Sequence, residues 1–339
     1  MIDFNRISPN QNRLLNGFLL LLGLVLIISC GGPKEKVSVL PEEQKAGEEA
    51  WAVGAEVKTG TVVEPASESV QITFGDYSNG IGTYHPDGNR IAFQSNRTGL
   101  WQIYELNLVG GGDRNLFESN GNCENPVWLK DGSALLFVSD LEGRGNEWER
   151  DIFAYYPESK AVTRLTVVPA DDWFPVALEE GSFIFLSERD ADPELPVYYR
   201  QNSLYKGFLS GKDPELLAGK EFDPTAPMQL VKNRYMIRTS EGSLAILPAE
   251  GSELQPVTPE FLKCGSGAFI PNKNWLVFTA RESDDYHLYI LDLGTRVLQQ
   301  LETRGSELRF PQISPDGGKI LYTARFEGYF QLFELQLIP

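Results

Sequence analysis

Histidine is almost absent from this chain, which has two in 339 residues, His85 and His287. A lone imidazole without a ligating or proton-relaying neighbour seldom makes a site, so both are expected to serve structure. Cysteine is nearly as scarce at three, which excludes a disulfide-built scaffold. No Gly-x-Ser-x-Gly stretch occurs, and with no α/β-hydrolase domain expected after the last repeat, a complete propeller-type peptidase is not expected. Beyond residue 50 no apolar stripe of helical period appears, which argues against a helical body. Positive charge is in deficit, 30 Lys and Arg against 47 Asp and Glu, for a net −17. Such a surface repels phosphate backbones and disfavours nucleic acid as a partner. Its ordinary use is solubility.

What is present is repetition. Six copies of one module run from Ile72 onward, the fullest spanning Phe310 to Arg325 and then Phe330 to Phe333. The apolar residue closing each copy's last strand stands fourteen positions before the turn after the next copy's first strand. Ile72 to Pro86, Leu116 to Lys130, Leu165 to Glu179, Val257 to Pro271 and Leu301 to Pro315 all obey this, and Leu217 is a looser sixth marker. The markers lie 44, 49, 52, 40 and 44 residues apart, the period of a four-stranded propeller blade. The turns carry Asp87-Gly88, Asp131-Gly132 and Asp316-Gly317, where Gly supplies the positive φ of a tight reversal. Lys232-Asn233 and Asn272-Lys273-Asn274 take that place in copies four and five, and Asn tolerates the same backbone region.

The fold expected is therefore an all-β six-bladed propeller over residues 69–339. The sixth copy holds three strands through Phe333–Leu337, and Val70–Phe74 resembles the outer strand that it lacks. Pairing the two would leave no long exposed edge. In this ring Cys123 and Cys264 occupy aligned positions in opposite blades, too far apart for a bridge, so two free thiols are expected.

Residues 1–29 read as an address. Arg6 and Arg13 precede an apolar run from Leu14 to Ile28, and Ile27-Ile28-Ser29-Cys30 follows the pattern of a secretory leader. These four residues resemble a bacterial lipoprotein signal, which implies that Cys30 is the lipidated first residue of the mature chain. Gly31 rather than Asp at the next place resembles the enterobacterial pattern for transfer to the outer membrane, with either the periplasmic or the cell-surface face open to the protein. Residues 30–68 are rich in Glu, Lys, Gly, Ala and Val without strong periodicity, the composition of a tether, with a short helix expected within Glu42–Trp51.

His85-Pro86-Asp87-Gly88-Asn89-Arg90-Ile91-Ala92-Phe93-Gln94-Ser95-Asn96-Arg97 and Ser314-Pro315-Asp316-Gly317 resemble the Pro-Asp-Gly propeller repeat of TolB-like proteins. The resemblance covers nearly all of Val70–Pro339 and implies a six-bladed propeller. Activity does not follow from it, because such propellers serve partner binding, lyases and peptidase gating alike.

Two long insertions, Asp140–Arg150 and Glu188–Asn202, fall on the face that joins outer strands to the next inner strands. Loop length gathered on one face marks the binding side of a repeat protein. Candidate contact residues there are the aromatics Tyr77, Trp173, Phe174, Phe222 and Tyr286 and the carboxylates Glu124, Asp171, Asp172 and Asp223. No motif implies a cofactor; the carboxylates offer the oxygen donors that Ca²⁺ takes, or else cap loops and meet water. Arg97, Arg189, Arg281 and Arg325 recur after the second strand and are expected to brace their own blades. The function expected is a non-enzymatic envelope lipoprotein, held at the membrane by Cys30, that binds a protein with one propeller face. A carbohydrate-binding or lyase-like propeller and a structural subunit of an outer-membrane complex are the alternatives.

Overall fold

The computed structural model describes residues 56–65, 68–141, 150–196, 199–230, 234–247, 253–281 and 283–337. The leader, Cys30, most of the tether and the turn at Lys232-Asn233 lie outside them. Six antiparallel sheets, each counted from an inner strand outward, form the blades. Their inner strands are Asn79–Tyr84, Cys123–Trp128, Asp172–Ala177, Thr225–Gln229, Lys263–Ile270 and Ser306–Ile313. The expected six-bladed, all-β architecture is the one observed.

Second strands are largely buried, and Leu135–Ser139 and Ser182–Ser187 are so end to end, because a blade is sandwiched between two neighbours and both sheet faces are interior. Such strands read as continuous apolar runs rather than alternating ones. In five blades the second and third strands place two aromatic rings directly opposite one another. The pairs are Phe93 and Tyr104, Phe137 and Phe153, Phe185 and Tyr205, Phe278 and Tyr289, and Tyr322 and Phe333, with centroids 5.6 to 6.0 Å apart. The fourth blade substitutes Ile237 and Ala245.

Turns follow their chemistry. Gly88, Gly132 and Gly317 have φ of 71°, 74° and 73°, and Asn274 takes the same region at 53° in blade five. Asp87 and Asp316 each accept a backbone N–H two residues on, from Asn89 and Gly318, at 2.9 Å.

Closure is made by Val70–Gln71, which pairs antiparallel with Tyr329–Gln336 as the outer strand of blade six. A single buried amide locks the join. Gln331 Oε1 accepts from Thr73 Oγ1 and Asn79 Nδ2, both at 2.9 Å, and its Nε2 donates to the Gly75 and Tyr77 carbonyls at 3.1 and 3.0 Å. Around it Tyr84, Ile91 and Phe93 of blade one pack with Leu321 and Leu332 of blade six. Gly82 is required there, since a Cβ would stand 2.8 Å from Leu321 and 2.9 Å from Leu332.

One feature departs from the expected tether over 30–68. Lys58–Thr59 adds a fifth strand to blade five, parallel to Val297–Leu301. The Val62 and Val63 amides then donate to Gln299 Oε1 at 2.6 and 2.9 Å, and Val63 is buried among the side chains of blades five and six. Backbone pairing to one glutamine and two strand residues leaves no periodic pattern, so composition alone reads the stretch as tether.

Both described thiols are buried and unpaired, Cys123 in blade two and Cys264 in blade five. Each contacts a local hydroxyl, Ser139 Oγ at 3.6 Å and Thr258 Oγ1 at 3.4 Å.

Candidate functional site

Every inner strand breaks register about midway along the chain's entry into the blade, at Gly80/Gly82, Glu124/Val127, Trp173/Val176, Thr225/Met228, Cys264/Gly267 and Arg309/Gln312. A bulge inserts one unpaired residue and re-aims its side chain. In five blades that residue sits in the left-handed region: Ile81, Asn125, Phe174, Ala226 and Phe310, with φ between 43° and 53°. An L-residue there costs roughly 1–2 kcal/mol, and a β-branched one such as Ile81 is a clear outlier. Neighbouring blades hold the bulges in place. The Ile81, Asn125 and Phe310 amides donate to Thr323 Oγ1, Gln94 Oε1 and Ser266 Oγ of the preceding blade at 3.0, 2.8 and 2.8 Å.

All five bulge residues line the central channel or its mouth. Phe174 of blade three and Phe310 of blade six meet across the axis with ring centroids 6.0 Å apart. Both rings border two cavities, so the pair stands between them. Below it is a chamber of about 280 Å³ walled by Val127, Val176, Met228, Leu230, Phe269 and Ile313. At the chamber's other end Lys130 Nζ donates to Gln229 Oε1 at 2.9 Å. Above the pair is a mouth of about 340 Å³, on the face where the chain from Glu188 returns at Asn202, while residues 142–149 of the other insertion lie outside the described residues. Trp173, Tyr286 and Leu308 form its apolar wall, and Thr225, Ser266 and Thr279 supply hydroxyls. Trp173 is fixed by its indole N–H, which donates to Asn202 Oδ1 at 3.0 Å, and stands edge-on to Phe174.

The charge of this lining is opposite to that of the molecule. Arg238 and Arg309 border the mouth and Lys130 the chamber, and among the described lining residues there is no carboxylate. Arg238 is held by its own blade and the next, with Nε donating to the Cys264 carbonyl at 2.5 Å and Nη1 to Thr225 Oγ1 at 3.2 Å. Arg309 pairs with Glu307 at 3.1 Å and lies over the Phe330 ring.

Trp173, Phe174 and Tyr286 are thus brought together. The other sequence candidates lie outside both cavities. Tyr77 stacks beneath the Arg97 guanidinium at 4.9 Å. Phe222 packs half-buried against the core between blades three and four. Asp171 accepts from Arg150 Nε at 2.9 Å, and Asp172, wholly buried, pairs with Arg189 at 2.9 Å. Asp223 accepts the Asn202 amide at 3.1 Å. Glu124 is half-buried, and desolvation pushes its carboxyl above the ordinary value while Arg150 pulls it back. Near them Glu188 is pushed up to about 7, first by burial and then by the neighbouring Asp171 charge, against the pull of Arg200 and Arg150. Asp171 ties blade three to Arg150 of blade two and Asp172 braces blade three through Arg189, and none of these carboxylates lines either cavity. No group of three His, Cys, Asp or Glu converges as metal ligands among the described residues.

The recurrent arginines brace their blades. Arg97 bonds Asp113 and Ser95 and lies 4.0 Å over the Tyr104 ring; Arg189 bonds Asp172 and Ser187 and lies 4.5 Å over Tyr205. Arg325 pairs with Glu307 at 2.8 Å. Sequence reasoning passed over Phe310, Arg238 and Arg309. The register itself contains the signal for Phe310, which stands five residues before its turn as Phe174, Asn125 and Ile81 do. No repeat marks Arg238 or Arg309.

No protein-family model matches the chain. The uncharacterized peptidase YuxL of Bacillus subtilis is 25% identical over 216 residues, which are 60% of this chain and 30% of that protein. The chain spans about a third of the length of the curated relatives it matches. Among solved structures, the putative TolB from Agrobacterium tumefaciens superposes with a TM-score of 0.60 at 15% identity, covering 80% of this chain and 97% of that one. An oligogalacturonate lyase in complex with manganese superposes at 0.55 with 14% identity, covering 84% and 96%. These likenesses establish the TolB-like propeller fold expected from the Pro-Asp-Gly repeats.

Proposed function

We propose that this TolB-like propeller is a non-enzymatic binding protein of the cell envelope, anchored through a lipidated Cys30, that engages a protein partner at the channel mouth. The observation that carries the reading is the convergence of Trp173, Phe174 and Tyr286 with Phe310 around one cavity. Large aromatic rings supply most of the energy at protein interfaces, and a cavity that fixes them in advance lowers the ordering cost of binding. The residues with chemical potential elsewhere, Asp171 and Asp172, are spent on arginines inside the fold. The 339 residues contain no nucleophile elbow.

The reading is tested with the detergent-solubilised full chain as bait in envelope extracts. The wild type recovers a partner that Trp173→Ala and Tyr286→Ala each lose at unchanged melting temperature, and Cys30→Ser moves the protein from membrane to soluble fraction. Equal recovery by wild type and both mouth variants overturns the assignment of the site.

A further inference from the structure

The mouth has a charge of its own. In a chain of net −17, the charged side chains lining it are Arg238 and Arg309. At its base stands the Phe174–Phe310 contact, 6.0 Å between centroids, which also borders the chamber beneath. Its walls are Trp173, Tyr286 and Leu308, and three hydroxyls, Thr225, Ser266 and Thr279, stand among them. Such a cavity suits a carboxylate joined to an apolar body, because guanidinium groups grip carboxylates bidentately and the aromatic walls exclude water from the contact. A chain passing through the site would have to double back over the Phe174–Phe310 contact. A chain end does not.

The geometry points to the mouth of the channel as a receptor for the free C-terminal residue of a peptide chain, its carboxylate taken by Arg238 and Arg309 and its apolar side chain laid against Trp173, Phe174 and Phe310. This rests on the reading of the mouth as a protein-binding site and names what the partner presents to it. Arg309 enters the site already paired with Glu307, 3.1 Å away, which in turn is held by Arg325 at 2.8 Å. Glu307 therefore competes with the incoming carboxylate for Arg309, and its removal strengthens binding. A gain of this kind cannot come from misfolding.

Fluorescein-labelled tetrapeptides ending in Leu, Phe or Lys, each as free acid and as C-terminal amide, are titrated against the full chain by fluorescence polarisation. The acids ending in Leu and Phe bind at least tenfold more tightly than their amides, and the Lys-ended acid binds more weakly than either. Arg309→Gln, a half-exposed position whose loss leaves the fold intact, removes most of the acid preference; Glu307→Gln increases affinity for the acids severalfold and leaves the amides unchanged. Equal binding of acid and amide overturns the inference, as does absence of peptide binding at millimolar concentration. Displacement of the peptides by decanoate at lower concentration than by their own unlabelled forms also overturns it, in favour of a fatty acid. The partner-recovery experiment with Trp173→Ala and Tyr286→Ala is independent of these results, so a partner that needs the mouth but is indifferent to C-terminal amidation leaves the protein-binding reading in place and removes only this one.

Discussion

Glu188 shows what burial does to a single residue. Its side chain is about nine-tenths covered, and its carboxyl is raised from the ordinary 4.5 to about 7. Asp151, buried beside Arg164, is raised to about 6. A carboxylate whose pKa is higher in the folded state binds more protons folded than unfolded between those two values. Its stabilising contribution is complete below the unfolded pKa and is lost as pH rises through the folded one. The melting temperature of the wild type should therefore fall between pH 5 and pH 8. Glu188→Gln, which stays neutral, should melt with the wild type near pH 4 and a few degrees above it at pH 8, measured by scanning fluorimetry across that range. A rise from pH 5 to 8 that matches in the two proteins would mean that Glu188 ionises without cost. Gln331 carries the opposite lesson, since its side-chain bonds to Thr73, Asn79, Gly75 and Tyr77 close the ring. Gln331→Leu keeps the volume and strands two donors and two carbonyls. At 1–3 kcal/mol for a buried group left without a partner, a loss on the order of 3 kcal/mol in chemical denaturation is expected.

At the scale of the element, the blade is built around its cross-strand aromatic pair. Rings facing one another on the second and third strands contribute about 0.5–1.5 kcal/mol beyond the area that they bury. A double-mutant cycle on Phe278 and Tyr289, each changed to Leu, should return a coupling energy in that range by urea unfolding. The corresponding cycle on Ile237 and Ala245 in blade four, each changed to Val, should return nearly none. The turns that mark the blades in the sequence were legible because φ above zero admits few residues, and Gly88, Gly132, Gly317 and Asn274 all occupy it. The bulges on the inner strands carry no residue-type signal, although their five-residue interval to the turn repeats just as regularly. Ile81, Asn125, Phe174, Ala226 and Phe310 share a backbone conformation but no side-chain type, and at Ile81, Asn125 and Phe310 it is held by a hydrogen bond to the preceding blade and not by local preference.

For the whole molecule the decisive contact is the one between its most distant strands. Val70–Gln71 covers the long strand Tyr329–Gln336, and without it that strand is an exposed edge ready to pair with another copy. A chain shortened to begin at residue 75 should therefore elute as aggregates in size-exclusion chromatography, whereas one beginning at residue 56 should elute as a discrete species. Similar profiles for the two would show that closure does not depend on this strand.

The period of the repeats, the turn residues and the resemblance of Val70–Phe74 to an outer strand determined the blade count, the closing strand and the separation of Cys123 from Cys264, because each is a property of one strand-and-turn unit repeated at a counted interval. Trp173, Phe174 and Tyr286 were candidates from the sequence, but their meeting with Phe310, Arg238 and Arg309 was decided by tertiary structure. Arg238, Arg309, Phe174 and Phe310 come from three blades and meet only when six sheets close around an axis, and Asp171 and Asp172 turn away from that axis because Arg150 and Arg189 satisfy them within the fold. A repeat pattern records what every blade must do to pack against the next. Convergence at the axis depends on where the ring brings unlike residues together, and no local interval carries that information.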